Sequence, residues 1–225
     1  KESSAASDVY KRQLFVMIFE QAAGKMATFA KANTDGHIAG SALLKPEQYQ
    51  MINPAAVLIL AGLLGMWFRR REGKFPNTPQ KFAISVFIIG LTALMMGFGF
   101  QSWPGGDKLA PWWFLAVVFV IQTVAELFMN PIGLSTATKL APKKFASQNM
   151  TLWLLAAACG QGLASVTIER TKNLGDVVFY YGLGIVTIVV ALVLFAIAPW
   201  TQSKMEDVDQ VCHEGAGATP ESEGH

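Results

Sequence analysis

The sequence has few of the residues that form disulfides or bind metal ions. Its 225 residues include two cysteines and three histidines. Cys159 lies in an apolar run and Cys212 lies near the C-terminus, so they do not make a disulfide framework. Neither they nor the scattered histidines have the spacing of a metal site. We therefore expect no bound metal and no cofactor.

Charged residues are also scarce, at 15% of the chain, and the net charge is only +2. No basic cluster is interleaved with aromatic residues, which argues against a nucleic-acid partner. The charges are bunched between long apolar runs, 52% of the residues are hydrophobic, and the mean hydropathy is +0.35. This distribution is typical of a membrane protein with polar ends rather than of a soluble domain.

The apolar runs predict an all-α membrane protein with six transmembrane helices in one bundle, residues 11–200. A helix that crosses a bilayer needs about 20 mostly apolar residues, and the predicted helices cover about 11–32, 49–68, 80–101, 111–138, 145–168 and 176–199. Residues 1–10 are polar and are predicted to be a disordered or non-native N-terminal segment. Residues 201–225 are acidic and are predicted to be a disordered cytoplasmic tail.

The positive residues predict an orientation. Loops on the cytoplasmic side of membrane proteins carry an excess of Lys and Arg. If the chain starts inside, twelve of its eighteen Lys and Arg residues lie in the inner segments and six lie in the outer ones. We therefore expect both termini of this segment to lie in the cytoplasm. We also expect a multi-pass protein of the cytoplasmic (inner) membrane.

The fourth apolar run, from Pro111 to Thr138, carries one ionisable residue near its middle, Glu126. A charge at the centre of a transmembrane helix costs about 2.5–3.5 kcal/mol on insertion scales. At helical spacing, Glu126 shares a face with polar or small residues: Gln122, Thr123, Asn130, Gly133 and Ala137. Such a stripe suits a helix that lines a water-filled cavity. The alternative is a carboxylate that only pairs with a neighbouring helix.

Three further residues stand out in the apolar runs. Glu20 lies about 13 Å into the first predicted helix, near the membrane midplane. Asn53 precedes Pro54 and either starts the second helix or faces the same cavity as Glu126, and the sequence alone favours neither. Trp153 is too deep in the fifth helix for an interface anchor, so it is either buried in packing or lines a pocket.

Several strings of residues resemble a known family in the right order and spacing. A-E-L-F-M-N-P-I-G-L-S at 125–135, continuing into T-K-L-A-P at 138–142, resembles the tenth transmembrane helix of the proton-dependent oligopeptide transporters, which are members of the major facilitator superfamily. F-E-Q at 19–21, I-N-P at 52–54 and L-W-L-L at 152–155 resemble its seventh, eighth and eleventh helices. The resemblance covers roughly residues 11–200.

The resemblance implies that the chain is the C-terminal six-helix half of a twelve-helix symporter and not an enzyme. Such a transporter takes up di- and tripeptides with protons as the coupling ion, by alternating access. Glu20 would carry the proton, and Glu126 would receive the amino terminus of the peptide. Asn53 and Trp153 would contact the peptide, and we expect Gln122 and Asn130, one turn on either side of Glu126, to bind substrate as well. The implied partners are the peptide, protons, the lipid bilayer and an N-terminal six-helix half.

The sequence is also compatible with other functions. The chain could be a non-transporting membrane subunit whose buried carboxylates only pair helices. It could also be a symporter of the same family for another small polar or anionic solute. A redox-linked or proton-conducting enzyme subunit would need histidine pairs or several more acids within the membrane, and the sequence has neither.

Overall fold

The computed structural model describes residues 25–35, 37–38, 42–43, 45, 48–49, 51–70, 78–139 and 146–217, which are mostly helical. The helices are α1 (Lys25–Ala32), α2 (Ile52–Arg70), α3 (Thr78–Ser102), α4 (Trp112–Lys139), α5 (Ala146–Arg170) and α6 (Asp176–Gly217). Four short strands lie in the connections: β1 (Thr34–Asp35), β2 (His37–Ile38), β3 (Ala42–Leu43) and β4 (Ala110–Pro111). A 3-10 turn, Lys172–Leu174, precedes α6.

The helices occupy the positions that the apolar runs predict. α2, α3, α4 and α5 each begin and end within three residues of the predicted bounds. α1 is the end of the first predicted helix, and the rest of that helix lies outside the described residues. The boundaries agree because turn-forming and charged residues flank each apolar run.

Three of these helices are long and apolar enough to cross a membrane: Pro79–Ser102, Trp112–Asn130 and Asp176–Trp200. Ile52–Trp67 is a shorter apolar helix. Within the described ranges the structure therefore supports a helical membrane protein. The full set of six transmembrane helices stays a prediction.

The C-terminal region differs from its prediction. A disordered tail was expected from residue 201 onward, but α6 continues as one helix to Gly217, with Pro199 inside it. Residues 201–214 contain no Gly or Pro and include Lys, Met, Glu and Gln, which are good helix formers. A hydropathy profile marks the residue at which a helix leaves the apolar layer of a membrane, but the helix can continue beyond that residue. Residues 218–225 lie outside the described residues.

α3 packs along both α6 and α4. Its contact with α6 depends on glycines. A Cβ added at Gly184 of α6 would lie 2.5 Å from Leu94 Cδ2 and 3.0 Å from the Leu94 backbone nitrogen. Small residues of this kind let transmembrane helices approach closely and gain van der Waals contact.

An aromatic cluster joins four helices at one end of the bundle. Phe29 of α1 meets Phe100 of α3 edge-on, with ring centroids 4.7 Å apart, and also lies against Phe114 of α4 at 6.2 Å. Phe100 stacks on Tyr180 of α6 at 5.4 Å. Edge-to-face and offset contacts of this kind contribute about 0.5–1.5 kcal/mol beyond the area they bury. The cluster therefore holds α1 against the rest of the bundle.

Polar contacts also join the helices at the end of the bundle where the aromatic cluster lies. β1 pairs in parallel with β4, so the segment after α1 is bonded to the segment that begins α4. The buried side chain of Asn33 donates to the Trp103 carbonyl at 2.8 Å. Lys25 Nζ lies 2.8 Å from Asp176 Oδ1, at the start of α6. Outside the spans, hydrogen bonds from the His37 side chain and backbone lower the pKa of Asp35.

Candidate functional site

α3 fixes the part of α4 that carries the candidate site. Ser85, which is 0% exposed, donates a hydrogen bond from its hydroxyl to the Ala125 carbonyl oxygen at 2.8 Å. Hydroxyl groups commonly join helices across an apolar interface in this way. Glu126 follows directly, so the backbone that bears the carboxylate is bonded to α3.

Glu126 is partly buried and points toward two asparagines. Asn130, one turn further along α4, donates from Nδ2 to Glu126 Oε1 at 3.1 Å. Asn53, in the first turn of α2, donates from Nδ2 to Glu126 Oε2 at 3.4 Å, which is a long contact. Each oxygen of the carboxylate therefore faces one neutral amide, and one of the two amides comes from another helix.

Asn53 is held by a third side chain, Thr123. The Thr123 hydroxyl donates to Asn53 Oδ1 at 2.7 Å and also lies 2.9 Å from the Phe119 carbonyl oxygen. The sequence left open whether Asn53 only starts α2 or faces Glu126. In the structure the Asn53 side chain bonds to α4 through both of its polar atoms, so Asn53 faces Glu126.

The charge of Glu126 is not balanced within the described residues. Its hydrogen-bond partners there are two neutral amides, and neither ion pair found in those ranges includes it. A carboxylate can accept about four hydrogen bonds, so two positions remain open. A lone charge in a membrane span is costly and needs water, a proton or a cation. The site can therefore bind a cationic group.

The other predicted site residues on α4 differ in exposure. Asn130 is exposed, so it can reach a substrate as well as Glu126. Gln122 is only 3% exposed and lies inside the bundle. A direct contact between Gln122 and a substrate would need a change in the packing around it, and its substrate role stays a prediction.

Two predicted site residues cannot be placed as side chains. Glu20 lies outside the described residues. The backbone of Trp153 belongs to α5, but its side chain is not among those described. No group of three or more His, Cys, Asp or Glu side chains that could hold a metal ion occurs in the described part of the chain.

Two residues that shape the site have no role predicted from the sequence. In the sequence Thr123 is only a member of the polar stripe around Glu126, and Ser85 has no predicted role. Both are hydroxyl residues in apolar helices, which is a recognisable signal because such groups seek a partner on a neighbouring helix. What the sequence does not give is the identity of that partner.

The family model PTR2, described as POT family, matches residues 11–179. This chain belongs to the POT family. The resemblance to proton-dependent oligopeptide transporters is thereby confirmed, and the matched range includes α1 to α5 together with Glu126 and Asn53.

Curated relatives of this POT family chain include two from bacteria. A di-/tripeptide transporter of Lactococcus lactis subsp. cremoris is 31% identical over 166 residues, which are 73% of this chain and 33% of that protein. A dipeptide and tripeptide permease A of Chromobacterium violaceum is 26% identical over 207 residues, which are 87% of this chain and 41% of that protein.

Solved structures share the fold. A POT family transporter in complex with 5-aminolevulinic acid has a TM-score of 0.80 and 27% identity, over 88% of this chain and 42% of that one. The chain spans about two fifths or less of the curated relatives named above. The family is one of membrane transporters, so this chain belongs with transporters and not with enzymes.

Proposed function

We propose that this chain is the C-terminal six-helix half of a proton-coupled symporter for di- and tripeptides. The transporter works by alternating access in the cytoplasmic membrane, with both termini of this segment in the cytoplasm. The names of the relatives support peptides as the substrate. The part of each relative that the chain covers supports the reading that another half completes the protein.

One observation carries the proposal, namely the unbalanced charge of Glu126. A peptide has an ammonium group at one end and a carboxylate at the other. Glu126, with open acceptor positions beside the exposed Asn130, suits the ammonium. A charge-assisted hydrogen bond contributes roughly 1.5–3 kcal/mol. The cations for the carboxylate of the peptide would come from the N-terminal half.

Proton coupling is assigned to a different carboxylate, Glu20. The support is the F-E-Q string at 19–21, which lies inside the range that the family model matches. Glu20 lies in the first predicted helix, outside the described residues, and Glu126 is on α4. The sequence therefore predicts that the two acids belong to separate helices. Separate positions would let one group carry the proton while the other binds the substrate.

An uptake assay tests this division of roles. The transporter that contains this chain and its N-terminal half is placed in liposomes, with an inward proton gradient and labelled dialanine outside. We expect Glu20→Gln to abolish gradient-driven accumulation but to retain counterflow, because Gln keeps the size of the side chain but cannot titrate. We expect Glu126→Gln to reduce both. Liposomes with this chain alone should not accumulate the peptide.

Asp107→Asn provides a matched control, because it removes one carboxylate from an exposed turn. It should leave accumulation and counterflow unchanged. Gradient-driven uptake that survives in Glu20→Gln would contradict the coupling role. If the wild-type protein accumulates no dipeptide but does accumulate another polar solute, the substrate class is wrong.

A further inference from the structure

Thr123 differs from Thr187, another buried threonine that bonds to its own helix. The Thr187 hydroxyl of α6 donates to the Leu183 carbonyl four residues earlier, at 2.6 Å, and to no other described residue. This is the ordinary return bond of a helical threonine. Thr123 has the same return contact with Phe119, but its hydroxyl also lies 2.7 Å from Asn53 Oδ1 on α2. Both threonines are 0% exposed, so burial does not explain the difference.

The Thr123 bond determines which way the Asn53 amide points. An amide oxygen only accepts hydrogen bonds, an amide NH₂ only donates, and an ionised carboxylate only accepts. With the Thr123 hydroxyl on Oδ1, the NH₂ group faces Glu126 Oε2. If the amide were reversed, its oxygen would face the carboxylate, and two acceptors would be in contact.

This orientation leaves one donor for a ligand. The Asn53 NH₂ has two hydrogens, and one is directed at Glu126. The other has no acceptor among the described residues. It lies next to the position where Glu126 would hold an ammonium group. A ligand with an acceptor oxygen near its ammonium, as in the first residue of a peptide, would satisfy both groups at once.

We infer that Thr123 is a positioning residue that holds the Asn53 amide as a hydrogen-bond donor to the carbonyl oxygen next to the ammonium group of the substrate. The inference rests on the proposed function for the identity of that substrate. The hydroxyl itself does not touch the ligand. Its effect passes through Asn53, which distinguishes it from a residue of the binding surface.

Binding of dialanine to the complete transporter tests the inference. Thr123→Val keeps the shape and removes the hydroxyl, and it should weaken binding about threefold to tenfold, as expected for one neutral hydrogen bond. Thr123→Ser restores the hydroxyl and should bind within about twofold of the wild type. Thr187→Val is the matched control and should leave binding unchanged.

A double-mutant cycle shows whether Thr123 acts through Asn53. In an Asn53→Ala background, Thr123→Val should cause no further loss of affinity. The same loss in both backgrounds would overturn the inference, and so would an equal loss in Thr123→Ser and Thr123→Val.

An NMR measurement separates this inference from the proposed function. With ¹⁵N-labelled asparagine in the same protein and no substrate, the side-chain resonance that disappears in Asn53→Ala belongs to Asn53. Its NH₂ exchange with water should accelerate in Thr123→Val and not in Thr123→Ser or Thr187→Val. If Asn53→Ala leaves dialanine binding unchanged, the proposed substrate site is wrong. The NH₂ exchange rates still test whether Thr123 positions the Asn53 amide. An unchanged exchange rate in Thr123→Val would overturn that positioning role.

Discussion

The α3–α6 contact and the α2–α4 contact lie in the same bundle but are built from different residues. Between α3 and α6, Gly184 lets the helices approach, and the hydroxyls of Thr92 and Thr187 bond within their own helices. Between α2 and α4, Asn53 and Thr123 bond across the contact. The first pair is held mainly by close packing, with one exposed hydrogen bond from the Tyr181 hydroxyl to Gln101 Oε1. The second has its polar bonds between partly buried side chains, beside a ring contact of Trp67 with Phe128.

The difference shows how a scaffold and a site can share one set of helices. Close packing of apolar surfaces has no open positions, so it fixes geometry without attracting a ligand. The polar contact around Glu126 gives each amide and the Thr123 hydroxyl a partner, but among the described residues it leaves one Asn53 hydrogen without an acceptor and the carboxylate without a cation. The missing cation makes the α2–α4 contact the candidate binding site. Substitutions in the α2–α4 contact and in the α3–α6 contact should therefore have different consequences.

The largest expected effect comes from filling the close contact between α3 and α6. Gly184→Leu should lower the free energy of unfolding by about 1–3 kcal/mol, because Leu94 and its backbone block the space. Thermal unfolding in detergent measures the loss.

Gly182, two residues earlier in α6, is the matched control. It is exposed and has nothing within 4 Å of an added Cβ. Gly182→Leu should change the free energy of unfolding by less than about 1 kcal/mol, since it also gains helix propensity. Equal losses at the two positions would refute the role of glycine in this contact.

A smaller loss of unfolding free energy is expected at Ser85, where α3 bonds to the α4 backbone next to Glu126. Ser85→Ala removes the hydrogen bond to the Ala125 carbonyl and should cost about 0.5–1.5 kcal/mol of unfolding free energy. Chemical denaturation gives the value. Ser165→Ala, which removes an exposed hydroxyl bonded to Gln161 of its own helix, should have little effect. An equal loss of unfolding free energy in Ser165→Ala and Ser85→Ala would show that the hydrogen bond between α3 and α4 adds no stability beyond that of a bond within one helix.

The sequence predicts the helices well because their signals are local. Turn residues and charges flank the apolar runs, and the bounds of α2 to α5 follow from them. The same local signals end at Trp200, whereas α6 continues to Gly217. Membrane exposure and helix propensity are separate properties, and a hydropathy profile follows only the first.

The site is predictable in part. A carboxylate in an apolar helix is unusual enough to identify Glu126, and helical spacing places Asn130 beside it. The role of Asn53 depends on Thr123 and Glu126, which are about 70 residues away in the chain. Contacts across that separation follow from how the helices pack, so the sequence left two alternatives where the structure shows one.

The central claim is that Glu126 is the anionic position for the ammonium group of a peptide. The direct measurement compares binding of a free dipeptide and its N-acetylated form to the complete transporter, with and without Glu126→Gln. We expect the substitution to weaken binding of the free dipeptide about tenfold to a hundredfold, because one charge-assisted hydrogen bond is lost. The acetylated form should lose much less, because it has no ammonium group. Equal losses for the two ligands, or no loss for the free dipeptide, would contradict the account.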